Sequence, residues 1–222
     1  MDRIIEEGLK THGEDAFDLY CLTSEAHSAG RSNIAVVTAL LAAGVRIVQY
    51  REKTKSKREK LEECLQIRKM TRAAGAIFIV NDDVDIAILC NADGVHVGQD
   101  DLPVAAVRQL VGPDKVIGLS THLPELAHRA EADGADYIGV GPVYATDTKV
   151  DAKAPVGLSY VAYAAEHIKI PFVAIGGIKR HNVADVIKAG ATCVAMVTEI
   201  VEAPDIGMRI REVRKEINRI RR

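Results

Sequence analysis

The chain has 222 residues, 48% hydrophobic and 27% charged, a balance that supports a full apolar core in one large domain or two small ones. A net charge of −2 gives no global electrostatic case for nucleic acid or an anionic membrane surface. No apolar run reaches the roughly 18–20 residues a membrane span needs, and the acidic N-terminus lacks the apolar segment of a signal peptide, so a cytoplasmic location is expected.

Residues 1–15 read as an extra N-terminal helix or arm, with the core of a single domain running over about 16–222. Strands are predicted at "FDLYCLT" (17–23), "AGVRIVQYR" (43–51), "AGAIFIVND" (74–82), "ADGVHVGQD" (92–100), "KVIGLST" (115–121), "DGADYIGVG" (133–141), "PFVAIGG" (171–177) and "AGATCVAMV" (189–197). Helical patterns separate and follow them near 33–43, 56–74, 84–91, 103–111, 123–132, 158–168, 181–189 and 205–221. The Ala-Gly and Asp-Gly steps before many strands suit the end of a helix, where positive φ is needed. Eight strand–helix units in this length predict a (β/α)₈ TIM barrel. The alternative, an open doubly wound sheet, favours a glycine-rich fingerprint after its first strand, which "CLTSEAHSAG" does not supply.

Cys21, Cys64, Cys90 and Cys193 are widely spaced in apolar segments and form no CxxC pair, so they are expected as reduced core residues of a cytosolic protein. The basic tail "RIREVRKEINRIRR" carries Ile210, Val213, Ile217 and Ile220 at helical spacing and no aromatic residue, so it reads as an amphipathic last helix rather than an RNA contact.

In such a barrel the active site lies where the strands end. The second strand turns cationic there: Gln49, Arg51 and Lys53 share one face, Tyr50 and Glu52 the other. The third ends in Asn81-Asp82-Asp83, the fourth in "GQDD" with Asp100 and Asp101, the fifth in Ser120 to His122. One member of each acidic pair can cap the following helix, which frees the other. Two separated carboxylates beside two cations point to a divalent metal bound to a phosphate, since Mg²⁺ takes one or two carboxylates and completes its shell with water and substrate oxygens. His96 in "GVHVG" reads equally as a packed interior histidine or as a ligand contact. The connection from Ala145 to about Gly157 is long and polar, with Thr146, Asp147, Thr148, Lys149, Asp151 and Lys153, as befits a lid over an anionic substrate. Gly176-Gly177 and Val197-Thr198 follow the last two strands, where backbone N–H groups often hold phosphate. The residues alone thus predict a barrel enzyme with two anion sites.

The segments "VQYREK", "IVNDDVDIA", "ADGVHVGQDDLP", "IGLSTH", "ADYIGVGPVYATDTK", "APVGL" and "PFVAIGGI" resemble, in order and over about residues 17–200, the thiamine phosphate synthase (thiamine-phosphate pyrophosphorylase) family. The resemblance implies a transferase that joins an aminomethylpyrimidine diphosphate to a thiazole phosphate, or to its carboxylated precursor, and releases diphosphate by a dissociative displacement. It puts Gln49, Tyr50, Arg51, Glu52, Lys53, Asn81, Ser120 and Lys149 at the pyrimidine diphosphate. It further implies that Arg51, Lys53 and Lys149 are the catalytic cations and that Asp82 and Asp101 hold one Mg²⁺. Thr146, Asp147, Thr148, Gly177, Val197 and Thr198 fall at the thiazole phosphate. Ala145, Asp83 and Thr198 depart from the commonest family residues without removing a group the chemistry needs. The expected partners are small-molecule substrates, with no nucleic acid and no membrane; a homo-oligomer is left open. Two other readings are a thiazole tautomerase-like paralog, which expels no diphosphate and has no need of the full charged set, and a non-catalytic sensor of thiazole or thiamine phosphates.

Overall fold

Eight strands alternate with helices and close into one parallel barrel in sequential order. The computed structural model describes residues 17–148 and 153–221, so the expected N-terminal arm and Asp151 lie outside the described residues. The strands are β1 Leu19–Leu22, β2 Ile47–Tyr50, β3 Ile77–Asn81, β4 Gly94–Val97, β5 Val116–Thr121, β6 Tyr137–Val140, β7 Phe172–Ile175 and β8 Val194–Met196. The helices are α1 Asn33–Ala42, α2 Lys57–Ala74, α3 Val84–Leu89, α4 Val104–Val111, α5 Pro124–Ala132, α6 Gly157–His167, α7 Val183–Lys188, α8 Thr198–Val201 and α9 Ile206–Arg221. The short α8 and a 3₁₀ turn at Glu25–His27 were not expected from periodicity, because neither is long enough to show a helical repeat. The open doubly wound sheet is excluded by the pairing of β1 with β8.

Alternation along each strand divides the apolar residues into two sets. Residues such as Val48, Phe78, Val95 and Ile138 face outward into the layer shared with the helices. Tyr20, Leu22, Ile47, Ile77, Ile79, Val116, Tyr137, Val173 and Ala195 fill the barrel interior. Strand tilt carries one inward row obliquely through the barrel: Asn81 at the end of β3 lies beside His96, His96 beside Gly118, and Gly118 beside Tyr137 at the start of β6. A Cβ on Gly118 would lie 2.2 Å from Tyr137 Cζ and 2.4 Å from His96 Nδ1. Glycine at this position makes the room in which those two rings meet.

Three Asp–Arg pairs stitch the N-terminal ends of the strands, each joining the residue before a strand to a helix outside. Asp93 receives both terminal nitrogens of Arg68, at 2.7 and 2.8 Å, and the backbone N–H of Phe78. Asp136 receives Arg108 at 2.6 Å and the N–H of Ile117 at 2.7 Å. Buried Asp18 receives Arg214 of α9, whose guanidinium also donates to the carbonyls of Ala43 and Gly44. The basic last helix therefore docks on the barrel through Ile206, Ile210, Val213 and Ile217 and spends Arg214 on its floor, as the amphipathic reading expected. All four cysteines are free and buried. Among the described residues no helix is long and apolar enough to cross a membrane.

Candidate active site

At the opposite end of the barrel the strands open into a cavity of about 320 Å³, within the size range of small-molecule sites. Gln49, Arg51, Lys53, Asn81, Asp82, Asp101 and Ser120 line it from β2 to β5, and Thr146, Thr148, Gly177, Val197 and Thr198 from β6 to β8. The two groups of residues expected at separate anion sites thus share one chamber. Lys149 lies outside the described residues, and the exposed Asp147 is not among those that line the cavity.

Alternation on β2 sends Tyr50 and Glu52 the other way, and neither is among the residues that line the cavity. The Tyr50 hydroxyl donates to Glu63 Oε2 at 2.6 Å, and Glu52 Oε1 accepts the N–H of Glu25 at 2.7 Å. Glu63 further accepts from Asn33 and from Lys55, and Lys55 also pairs with Glu25. Burial pushes the Glu63 carboxyl up, but the hydrogen bonds from Lys55, Tyr50 and Asn33 outweigh it and hold the group below its ordinary range. Ser56 and Glu59 then form a reciprocal cap that starts α2. The outward residues of "QYREK" therefore brace the loop whose inward residues present Arg51 and Lys53.

The first acidic pair divides, whereas Asp100 and Asp101 both line the cavity. Asp83 stands immediately before α3 and turns outward to Lys57 and Lys60, without capping the helix through its side chain. Asp82, at φ 59, turns into the cavity and pairs with Lys53 through Oδ2. Asp101 folds back to accept the N–H of Gly98 through its own Oδ2 at 2.7 Å. Oδ1 of both Asp82 and Asp101 is without a protein hydrogen bond among the described residues. Two carboxylates with one free oxygen each, open to a chamber that admits water and an oxyanion, fit a Mg²⁺ ion, which asks no more of the protein. Arg51, half-buried, donates its backbone N–H to Thr23 Oγ1, and no carboxylate among the described residues pairs with its guanidinium.

Below these charges runs a chain of hydrogen bonds absent from the expected site. Gln49 Nε2 donates to Tyr20 Oη at 2.7 Å; Tyr20 Oη and Tyr137 Oη are 2.9 Å apart; Tyr137 Oη and His96 Nδ1 are 2.9 Å apart; and His96 Nε2 lies 2.9 Å from Ser120 Oγ. Burial raises both tyrosine pKa values, so the two hydroxyls stay protonated. The sequence held a signal for it. Tyr20 and Tyr137 occupy inward positions, Tyr137 in register with Gly118, and an inward tyrosine near the barrel floor needs a polar partner. His96 resolves as a member of this chain that also lines the cavity.

On the other side, Gly176 and Gly177 take φ of 99° and 64°. A Cβ on Gly177 would lie 2.5 Å from the carbonyl oxygen of Ala145, so this turn packs directly under the start of the connection after β6. Thr146 Oγ1 accepts the N–H of Thr148 and makes a tight hydroxyl-bearing turn above it. Lys179 also lines the cavity, a residue neither the motifs nor the resemblance singled out, because it lies beyond the strand and outside the quoted segments.

The sequence profile of the family described as thiamine monophosphate synthase matches residues 19–200. A thiamine-phosphate synthase of Lawsonia intracellularis is 59% identical over 200 residues, covering 90% of this chain and 92% of that protein. One from Pelotomaculum thermopropionicum is 56% identical over 202 residues, covering 91% and 93%. The solved structure of a thiamine phosphate pyrophosphorylase from Pyrococcus furiosus superposes with a TM-score of 0.85 at 33% identity, over 93% of this chain and 98% of that one. A 3-hexulose-6-phosphate synthase structure, at 20% identity and a TM-score of 0.65, shares the fold alone. The chain belongs to the thiamine monophosphate synthase family.

Proposed function

We propose that this barrel is a thiamine-phosphate synthase, which transfers an aminopyrimidinylmethyl group from its diphosphate to the ring nitrogen of a thiazole phosphate and releases diphosphate. The observation that carries the reading is the division within one cavity. Arg51, Lys53 and the free carboxylate oxygens of Asp82 and Asp101 gather at the mouth of β2 to β4, while glycine and hydroxyl groups face them from β6 to β8.

The chemistry asks little covalent work of the protein. The methylene–oxygen bond breaks as positive charge develops on a carbon conjugated to the electron-rich aminopyrimidine, and the thiazole nitrogen then donates its electron pair to that carbon. The chain must neutralise the departing diphosphate and hold the two rings in line. Arg51 meets the leaving group with an uncommitted guanidinium, suited to two-pronged contact with phosphate oxygens. Lys53 stands on Asp82, able to follow phosphate charge while the carboxylate keeps it at the mouth. Asp82 and Asp101 would hold Mg²⁺, which supplies Lewis-acid neutralisation of diphosphate oxygens when bound. Ser120, fixed by His96, and Gln49, fixed by Tyr20, present polar groups at defined places along the pyrimidine side. Lys149 is assigned to the same diphosphate, and the connection that carries it to excluding water, which would otherwise trap the cation as an alcohol. Thr146, Thr148, Gly177, Val197 and Thr198 are assigned to the thiazole phosphate.

The test mixes both substrates with the chain and Mg²⁺ and follows thiamine phosphate by mass spectrometry. Product above the no-enzyme control, lost on chelation and restored by Mg²⁺, is the expected outcome. No product above that control defeats the reading. A thiazole tautomerase would convert its substrate without the pyrimidine diphosphate present and would release no diphosphate.

A further inference from the structure

Lys179 lies three residues beyond Gly176 in the turn after β7, half-buried on the cavity wall, and its Nζ donates to Thr198 Oγ1 at 2.7 Å. Its backbone is held in place: the Lys179 N–H donates to Asn182 Oδ1 at 2.7 Å, and Asn182 Nδ2 returns to the carbonyl of Gly177 at 3.1 Å. No carboxylate among the described residues pairs with this ammonium, whereas Lys53, Lys55, Lys57 and Lys60 of the β2–α2 region all have acidic partners. The backbone N–H groups of Gly177 and Ile178 beside it are likewise without hydrogen-bond acceptors among the described residues. Accepting from Lys179 leaves the Thr198 hydroxyl hydrogen free to donate. A charge, a hydroxyl and two backbone donors are thus held in one corner, and no carboxylate among the described residues pairs with the charge.

We propose that Lys179 binds the phosphate of the thiazole substrate and sets the preference for the phosphorylated thiazole over its alcohol. This rests on the two-substrate reading above. A lysine ammonium is a compact point charge with three donors, suited to a terminal phosphate monoester when a hydroxyl and backbone N–H groups complete the shell. The position fits the second substrate rather than the first. Lys179 stands in the turn after β7, close to Gly177 in sequence and bonded to Thr198, and β7 is three strands around the barrel from the strand that leads to Arg51 and Lys53.

Steady-state kinetics on the full chain with Mg²⁺ test it. Lys179→Met is expected to raise KM for the thiazole phosphate roughly 10- to 100-fold, the usual cost of one charge-assisted contact. KM for the pyrimidine diphosphate should stay within about twofold. The ratio of kcat/KM for thiazole phosphate to that for thiazole alcohol should fall by the same factor as the first change. Lys179→Arg, which keeps the charge, should recover most of the loss and also serves as the folded comparison. Were Lys179 only a tie between two turns, Lys179→Met would lower the melting temperature and leave that ratio unchanged, which overturns the proposal. A wild-type chain that makes no thiamine phosphate defeats the functional reading; an active wild type with an unaltered ratio in Lys179→Met defeats the role of Lys179 alone.

Discussion

Arg68, Arg108 and Arg214 at one end of this barrel and Arg51 and Lys179 at the other are cations in opposite settings. At the N-terminal ends of the strands, Arg68, Arg108 and Arg214 each meet an aspartate and a set of backbone groups within hydrogen-bond distance. At the C-terminal ends, Arg51 and Lys179 face the cavity with no carboxylate partner among the described residues. A half-buried charge is tolerable only if something compensates it, so a paired cation belongs to the structure and an unpaired one awaits a ligand. The contrast explains why charges of one kind serve stability on one face and chemistry on the other.

Removing one member from each end should break the protein in two different ways. Arg51→Met is expected to lower kcat by about 10²–10³, the scale of losing one charge-stabilising contact to a developing anion, while the melting temperature barely moves. Arg108→Met at the floor is expected to do the reverse. It strands Asp136 and the carbonyl of Lys115, which Arg108 now reaches at 2.6 Å, and should cost about 2–3 kcal/mol of stability. Its KM values at 25 °C should match the wild type. Urea unfolding and initial rates on both variants check the pair; an Arg108 variant with normal stability and weakened catalysis would erase the distinction.

How much of this contrast was legible beforehand follows from its physics. Period-two alternation and helix-ending glycines were enough to count eight strand–helix units and to put Gln49, Arg51 and Lys53 on one face. Which carboxylate of "NDD" enters the cavity was not, from the residues alone, nor that both carboxylates of "GQDD" line it. Asp82 and Asp83 are separated by a positive φ at Asp82, a backbone choice that no residue pattern announces. The expected pyrimidine-diphosphate set takes in the whole "QYREK" stretch, whereas only its alternate residues Gln49, Arg51 and Lys53 line the cavity. Tyr20 and Tyr137 went unread because they meet across the barrel interior from β1 and β6, strands that are not neighbours, and because the space for Tyr137 depends on a glycine one strand away.

The buried chain between the two ends offers a smaller test of the same division. Tyr137→Phe keeps the ring under Gly118 but removes the hydroxyl that links Tyr20 to His96. Tyr20 and His96 each lose a partner, so a destabilisation of about 1–3 kcal/mol is expected. The distinguishing effect is kinetic. Ser120 loses its fixed neighbour's orientation, so KM for the pyrimidine diphosphate should rise on the order of tenfold while KM for the thiazole phosphate holds. Equal rises in both would show that the chain supports the cavity as a whole.

The least effect is expected at Glu63, which lies at the catalytic end but behaves like the floor. It faces outward from the mouth, and every charge around it is matched: Lys55 donates to Oε1, while Tyr50 and Asn33 donate to Oε2. Its lowered pKa means that the folded state favours the ionised form. That contribution is fully present above the unfolded value, about 4.3 for a free glutamate, and is lost as the pH falls through the lower folded value. Glu63→Gln should therefore be less stable than the wild type at pH 7, by about 1 kcal/mol or less given its partial exposure, and the gap should narrow as both are unfolded by urea at successively lower pH. Activity should change little at neutral pH, because Arg51 and Lys53 are still carried by the Ser56–Glu59 cap and the bond from Glu52 to the Glu25 backbone. A gap that stays constant down to pH 3 would mean that Glu63 acts by shape rather than charge, and the rule that paired groups serve stability would then fail where it crosses to the catalytic end.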